Sequence, residues 1–217
     1  MDYKTTLVID YGVGNHQSVT NALDFLGYGF LVSSKIEDIR RASSYILPGV
    51  GAFGEAMHNL HRLGIVNLLT EEVLVKKKPI LGICLGMQVL AEYSVENGYH
   101  EGLGWIEGRV DKFEAGGKIR IPHVGWNTLQ IVKKDLLFAR TKEDASFYFD
   151  HSYHFVCQDN YVLAKCRYGI DFVAAVQKDN ILGVQFHPEK SQTSGLKLFR
   201  SFFNYLRKKD KGTYQYA

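Results

Sequence analysis

The 217-residue sequence predicts an α/β fold: a mostly parallel central sheet with helices on both faces, plus a smaller antiparallel sheet. Three observations carry this reading. Over residues 4–95 short apolar strand patterns alternate with helical ones, as right-handed βαβ units require of a parallel sheet covered on both faces. Over residues 105–186 the character changes to short β-rich segments and Gly-rich turns, which read as hairpins. Residues 196–206 then return to apolar positions three or four apart, the mark of a closing helix.

Taken in order, residues 5–9 form the first strand and residues 17–26 a helix. A strand over 30–32 leads to a helix over 36–41, with Ser34 and Glu37 spaced as its capping box. Short buried strands follow at 45–47 and 80–83, with a helix pair between them. Gly116-Gly117 marks a turn, and segments 147–155, 161–167 and 172–176 supply the hairpins of the smaller sheet. Leu196, Phe199, Phe202 and Leu206 line the closing helix, while Lys197, Arg200, Arg207, Lys208 and Lys209 form its solvated face. Residues 210–217 read as a frayed tail. No linker or internal repeat divides the chain, so residues 1–217 are expected to form one domain.

Composition narrows the function classes. Hydrophobic content of 46% and charged content of 23% are those of an ordinary globular protein. A net charge of +3, with scattered lysines, gives no reason to expect nucleic acid. Three cysteines without a C-x-x-C pair argue against a disulfide framework or a zinc site, and for a reducing, cytoplasmic setting. Neither a signal peptide nor a membrane span is expected. His58 and His61 stand at i, i+3 without a matching acid or thiol, so no metal is expected there. Gly12-Val13-Gly14 lacks the third glycine of a dinucleotide fingerprint. No cofactor is expected.

The chemistry concentrates in Pro79-Ile80-Leu81-Gly82-Ile83-Cys84-Leu85-Gly86-Met87-Gln88. A strand runs into Gly-x-Cys-x-Gly and then a helix, which puts a thiol at the apex of a sharp turn. Gly82 and Gly86 carry no Cβ to clash where strand and helix meet. The serine version of this spacing is the nucleophile elbow, and a helix N-terminus favours thiolate. Taken alone, Gly-x-Cys-x-Gly fits a buried structural cysteine equally well. The second pattern, Gly183-Val184-Gln185-Phe186-His187-Pro188-Glu189, shifts that balance. Pro188 biases His187 toward extended backbone, and in an extended segment Glu189 projects to the same side as His187. Cys84, His187 and Glu189 then have the nucleophile, base and orienter logic of a triad. Cys157 and Cys166 lie in strand patterns and read as small apolar residues.

Gly82-Ile83-Cys84-Leu85-Gly86-Met87-Gln88 with His187-Pro188-Glu189 resembles the class I, or triad, glutamine amidotransferases. Asp10-Tyr11-Gly12-Val13-Gly14-Asn15, Leu47-Pro48-Gly49-Val50-Gly51-Ala52-Phe53-Gly54, Pro122-His123-Val124-Gly125-Trp126-Asn127 and His151-Ser152-Tyr153 are similar to the glutaminase subunit family of imidazole glycerol phosphate synthases. That resemblance spans residues 7 to about 206 and implies a flavodoxin-like sheet.

It further implies an oxyanion hole from the backbones of Val50 and Leu85, on a loop formed with Gly49 and Gly51. By the same resemblance Gln88 meets the α-substituents of glutamine, Glu96 pairs with its α-amino group, and the backbone of His151, Ser152 and Tyr153 holds its carboxylate. Asn15, Trp126 and Lys190 are implied as a docking face for a (β/α)8-barrel cyclase in a heterodimer. The resemblance implies histidine biosynthesis, and a glutaminase nearly silent until its partner binds. His154 departs from the family, which often has a second tyrosine there. Paralogues that supply ammonia to surface-sugar amidation enzymes remain an alternative, as does a stand-alone γ-glutamyl cysteine hydrolase. A non-catalytic interaction subunit is disfavoured by the complete triad.

Overall fold

A computed structural model describes residues 5–114, 119–134 and 136–210; the turn expected at Gly116-Gly117 and residues 211–217 of the expected tail lie outside them. In chain order the elements are β1 (Thr6–Ile9), α1 (His16–Phe25), β2 (Phe30–Ser33), α2 (Ile36–Arg41), β3 (Ser44–Leu47), α3 (Phe53–Arg62), α4 (Val66–Thr70), β4 (Ile80–Ile83) and α5 (Leu85–Gln88). There follow β5 (Tyr93–Ser94), β6 (His100–Glu101), β7 (Gly108–Lys112), β8 (His123–Thr128), β9 (Gln130–Ile131), β10 (Ser146–His151), β11 (Tyr153–Cys157), β12 (Val162–Tyr168), β13 (Ile170–Lys178), β14 (Ile181–Val184) and α6 (Gln192–Asp210).

The order β2-β1-β3-β4-β14 builds the parallel part of the sheet. Alternation along its strands sends successive side chains to opposite faces. Leu7, Ile9, Tyr45, Leu47 and Ile80 join Ile39, Phe53, Met57, Leu60 and Leu69 from α2, α3 and α4. Val8, Ile46, Leu81, Ile83 and Val184 join Val19 and Leu23 of α1 and Leu198, Phe199 and Phe202 of α6. Helices therefore cover both faces, as the alternation of patterns predicts. No helix among the described residues is long and apolar enough to cross a membrane.

The β-rich half divides differently from expectation. Among the described residues only β8 and β10 form a separate antiparallel sheet; β11, β12 and β13 extend the main one. The nine-residue β13 is long enough to serve several partners. Its residues 175–178 pair with β14, Val173 pairs with Phe155 of β11, and residues 170–176 pair with β12. The parallel sheet thus has no open edge beside β14.

The capping box is also displaced. Lys35 is the N-cap of α2 and makes no side-chain cap. Because β2 runs through Ser33, it is Ser33 Oγ that accepts from Lys35 N at 3.0 Å and donates to Asp38 Oδ2 at 2.6 Å. Ser34 and Glu37 are not the capping pair. In α6 the buried face is wider than the periodicity suggests, since Leu198, Phe203 and Tyr205 are buried along with Phe199 and Phe202. Leu196 and Leu206 are only half-buried.

Backbone meets backbone closely where β4 enters α5. A Cβ on Gly86 would sit 1.8 Å from Leu47 O, and one on Gly82 would sit 2.5 Å from Gly86 O. Backbone cannot yield there as a side chain could. Gly86→Ala is expected to cost about 3 kcal/mol or more, or to prevent folding. Gly29→Ala, which meets nothing within 4 Å, is expected to stay within about 0.5 kcal/mol. Urea titration of the two variants measures the contrast, and equal midpoints would refute it.

Candidate active site

Cys84 occupies the apex between β4 and α5 with φ +54° and ψ −110°, a left-handed backbone rare for a residue with a Cβ. Strain of this kind costs on the order of 1–3 kcal/mol and persists only where the surroundings impose it. Here Cys84 N donates to Val184 O at 2.8 Å, tying the turn to β14, while Cys84 O accepts from Met87 N and Gln88 N. The turn presents the thiol to a cleft of about 270 Å³ at the carboxyl ends of the parallel strands.

His187 follows β14 with extended backbone, φ −100° and ψ 93°. Its Nδ1–H donates to Glu189 Oε1 at 2.7 Å, and each side chain is only 2% exposed. The contact is the expected one, but its route is not: Glu189 sits in a 3-10 turn, Pro188–Lys190, rather than in continued strand. Proline fixes the first residue of that turn. The segment is fastened to β10, since His187 N donates to Tyr148 O at 2.8 Å, and Ser191 Oγ, which donates to His187 O at 2.6 Å, accepts from Tyr148 N at 2.9 Å. With Nδ1 engaged by Glu189, Nε2 is the ring nitrogen left for the Cys84 sulfur, which shares the cleft and acts on the ring's charge. Burial disfavours the charged ring, but the Cys84 sulfur and the Glu189 carboxylate outweigh it and push His187 up to about 10. An imidazolium held against a carboxylate and beside the thiol is placed to deliver a proton to a leaving group.

Val50, Gly51, Cys84, Leu85, Gln88, Glu96, His151, Ser152, Tyr153 and His187 all line the cleft, so tertiary structure gathers most of the residues singled out in the sequence. Gly49 does not. It stands behind the wall, where a Cβ would lie 2.6 Å from Tyr11 Oη and 2.8 Å from Gly86 N. Its lack of a side chain lets the Val50 loop lie against the turn that carries Cys84. Glu96 accepts from Phe53 N, the first amide of α3, at 2.6 Å, so one carboxylate oxygen is already held by a helix N-terminus. Gln88 donates through Nε2 to Tyr153 O at 2.9 Å and to Gln185 Oε1 at 3.0 Å, which leaves its own oxygen for a ligand.

Three further residues were not singled out for the site. Pro122 and Asp150 complete the cleft wall. His123, packed on the Phe149 and Tyr168 rings, meets His151 Nε2 through Nδ1 at 3.1 Å. Because His151 Nδ1 must donate to the Tyr153 carbonyl at 2.8 Å, its Nε2 accepts from His123. Burial holds both rings neutral, at about 4 for His123 and about 3 for His151. This pair braces the turn carrying Ser152 from behind. His154, the departure from the family pattern, lies with its ring 4.7 Å from that of Phe113. No periodicity could have exposed these contacts.

Of the expected docking residues, Trp126 is 48% exposed and meets Tyr148 edge-on. Lys190 Nζ lies 5.6 Å over that same Tyr148 ring, so the two share one patch beside His187. Asn15 has a local task, capping α1 by accepting from Ser18 N at 3.1 Å. His58 and His61 are exposed on α3.

Burial pushes the Cys157 thiol up to about 11 and the Cys166 thiol up to about 12, which makes both poor nucleophiles. Iodoacetamide at pH 7 is therefore expected to alkylate Cys84 and spare Cys157 and Cys166. Peptide mass spectrometry showing equal labelling would remove Cys84 from its assigned role.

Comparison with known proteins agrees with this geometry. The model of the family described as Glutamine amidotransferase class-I matches residues 7–205. Imidazole glycerol phosphate synthase subunit HisH 2 of Vibrio vulnificus is 48% identical over 202 residues, covering 93% of this chain and 94% of the relative. Subunit HisH 1 of Campylobacter jejuni is 50% identical over 195 residues, 90% and 97% of the two chains, and subunit HisH of Aquifex aeolicus is 46% identical over 212 residues, 96% and 99%. A crystal structure of a glutamine amidotransferase superposes with a TM-score of 0.73 at 22% identity, covering 93% of this chain and 98% of that one. At that identity it speaks for the fold alone. With the family model matched over nearly the whole chain and relatives near half-identical, this chain belongs to the class-I glutamine amidotransferases and, among them, to the family of HisH subunits.

Proposed function

We propose that this protein hydrolyses glutamine to glutamate and ammonia as the glutaminase subunit of an imidazole glycerol phosphate synthase, and passes the ammonia to a (β/α)8-barrel cyclase. The observation that carries the reading is the buried His187–Glu189 pair set against Cys84 at a strained turn inside a small polar cleft. In the proposed reaction the Cys84 sulfur attacks the side-chain carbonyl carbon of glutamine. The negative charge moves to the carbonyl oxygen, where the backbone amides of Val50 and Leu85 receive it, each such donor being worth roughly 2.7–4 kcal/mol. His187 gives its proton to the departing nitrogen, and ammonia leaves as the C–N bond breaks. Neutral His187 then takes a proton from water, which attacks the thioester and releases glutamate and the Cys84 sulfur.

Glu96 offers charge to the α-ammonium of the substrate, and the turn at Ser152 and Tyr153 faces its carboxylate. Ammonia that escaped would protonate in water, so the cleft needs a cover; the exposed Trp126, Tyr148 and Lys190 patch is the proposed cyclase contact, with Asn15 at its margin. The proposed setting is histidine biosynthesis in the cytoplasm. His154, in place of the family's frequent tyrosine, favours as a second reading delivery to another synthase, such as a surface-sugar amidation enzyme. A glutaminase assay with and without histidine-pathway cyclase separates the two, since only the proposed partner stimulates turnover and yields imidazole glycerol phosphate. Equal turnover without any partner would point instead to a stand-alone γ-glutamyl hydrolase.

Cys84→Ala is expected to abolish glutamine-dependent synthesis by the complex and to leave ammonia-dependent synthesis intact, because external ammonia bypasses the thiol. Loss of both activities would make Cys84 a folding or docking residue. Glu189→Gln keeps the shape but removes the charge that supports the His187 imidazolium. Its glutaminase turnover is expected to fall at least about tenfold. A loss smaller than about twofold would leave His187 to act with Cys84 as a dyad.

A further inference from the structure

We propose that Gln185 is a further member of the reacting set, its carboxamide locked by Gln88 so that it donates a hydrogen bond to the Cys84 sulfur and favours the thiolate. The proposal rests on the reading of Cys84 as nucleophile. Carboxamide oxygen and nitrogen are not told apart by shape, yet here the partners dictate the orientation. Tyr153 O can only accept, so Gln88 must turn its nitrogen toward it, at 2.9 Å. The second N–H of that nitrogen points at the Gln185 carboxamide, 3.0 Å away, which must therefore present its oxygen. Gln185 is left with its nitrogen toward Cys84 Sγ, at 3.7 Å.

Neither carboxamide can be swapped by solvent, because Gln185 is fully buried and Gln88 is 5% exposed. Donor and nucleophile also share one backbone support. Gln185 N donates to Ala174 O at 2.9 Å, and Cys84 N donates to Val184 O, the carbonyl of the residue just before Gln185.

An N–H that can only donate favours the sulfur form with the most charge to accept it. It does so twice in a turnover. Before attack it supports the thiolate beside the His187 imidazolium. When water breaks the thioester C–S bond, the electron pair returns to sulfur, and the same donor eases its departure. The titratable groups around the sulfur are His187 and Tyr11, with Glu189 behind His187 and His151 beside it. Gln185 is neutral at every pH, so replacing it changes no charge.

The test measures iodoacetamide alkylation of Cys84 against pH in the full-length protein and in Gln185→Met and Gln185→Asn. Methionine fills the space without a donor; asparagine keeps the polar groups and withdraws the N–H by one methylene. Each variant is expected to move the pH of half-maximal alkylation upward by about one unit. In complex with the cyclase, glutamine turnover is expected to lose about tenfold in kcat with KM changed less than about twofold, since Gln185 touches sulfur and not substrate. A folded variant whose alkylation profile stays within about 0.2 unit of the parent overturns the proposal. Failure of both variants to fold would assign Gln185 to stability alone and overturn it as well. Parent protein in which iodoacetamide does not select Cys84 would instead defeat the nucleophile reading itself.

Discussion

The site depends on one steric constraint, the absence of room for a Cβ where α5 crosses the end of β3. Gly86 brings its backbone against Leu47 O, and Gly82 lies against Gly86 O. That closeness forces the chain to reverse within a single residue, and the residue at the reversal is Cys84, held at positive φ. The strain is sustained by the parallel register on either side, in which Leu47 pairs with Gly82 and Val184 with Ile83. Burial in the strands is strong enough to hold a turn costing on the order of 1–3 kcal/mol. The same closeness sets the oxyanion loop, because Gly49 can lie against Leu85 and Gly86 only while it too lacks a side chain.

Electrostatics then sort identical side chains into different roles. His187, His151 and His123 are all buried, and burial alone disfavours the charged ring in each. His187 faces the Cys84 sulfur and the Glu189 carboxylate, so attraction exceeds the desolvation cost and the ring holds its proton at neutral pH. His151 and His123 face aromatic rings and each other, with no carboxylate acting on either among the described residues, and stay neutral well below neutral pH. Neutrality is what lets His151 donate from one nitrogen and accept at the other, and so brace the Tyr153 carbonyl. One histidine moves a proton while two others hold backbone in place, and the difference is the company each keeps.

The chain's own local rules determined the layered parallel sheet, the turn at Cys84, and the partnership of His187 with Glu189. Each of these is written in neighbouring residues: short apolar strands alternating with helical patterns, glycines flanking a cysteine, a proline between base and orienter. The class of the family was legible for the same reason, since its motifs are contiguous. Tertiary structure alone decided that β11, β12 and β13 extend the main sheet, because strand patterns state that a segment pairs but not with which edge. It alone turned Ser33, rather than Ser34, toward α2, a shift of one residue that reverses the face a side chain takes. It alone joined Glu96 to the first amide of α3, His123 to His151, and Tyr153 through Gln88 and Gln185 to Cys84. Those contacts link residues tens of positions apart, and their geometry follows from register and packing, which no local pattern encodes.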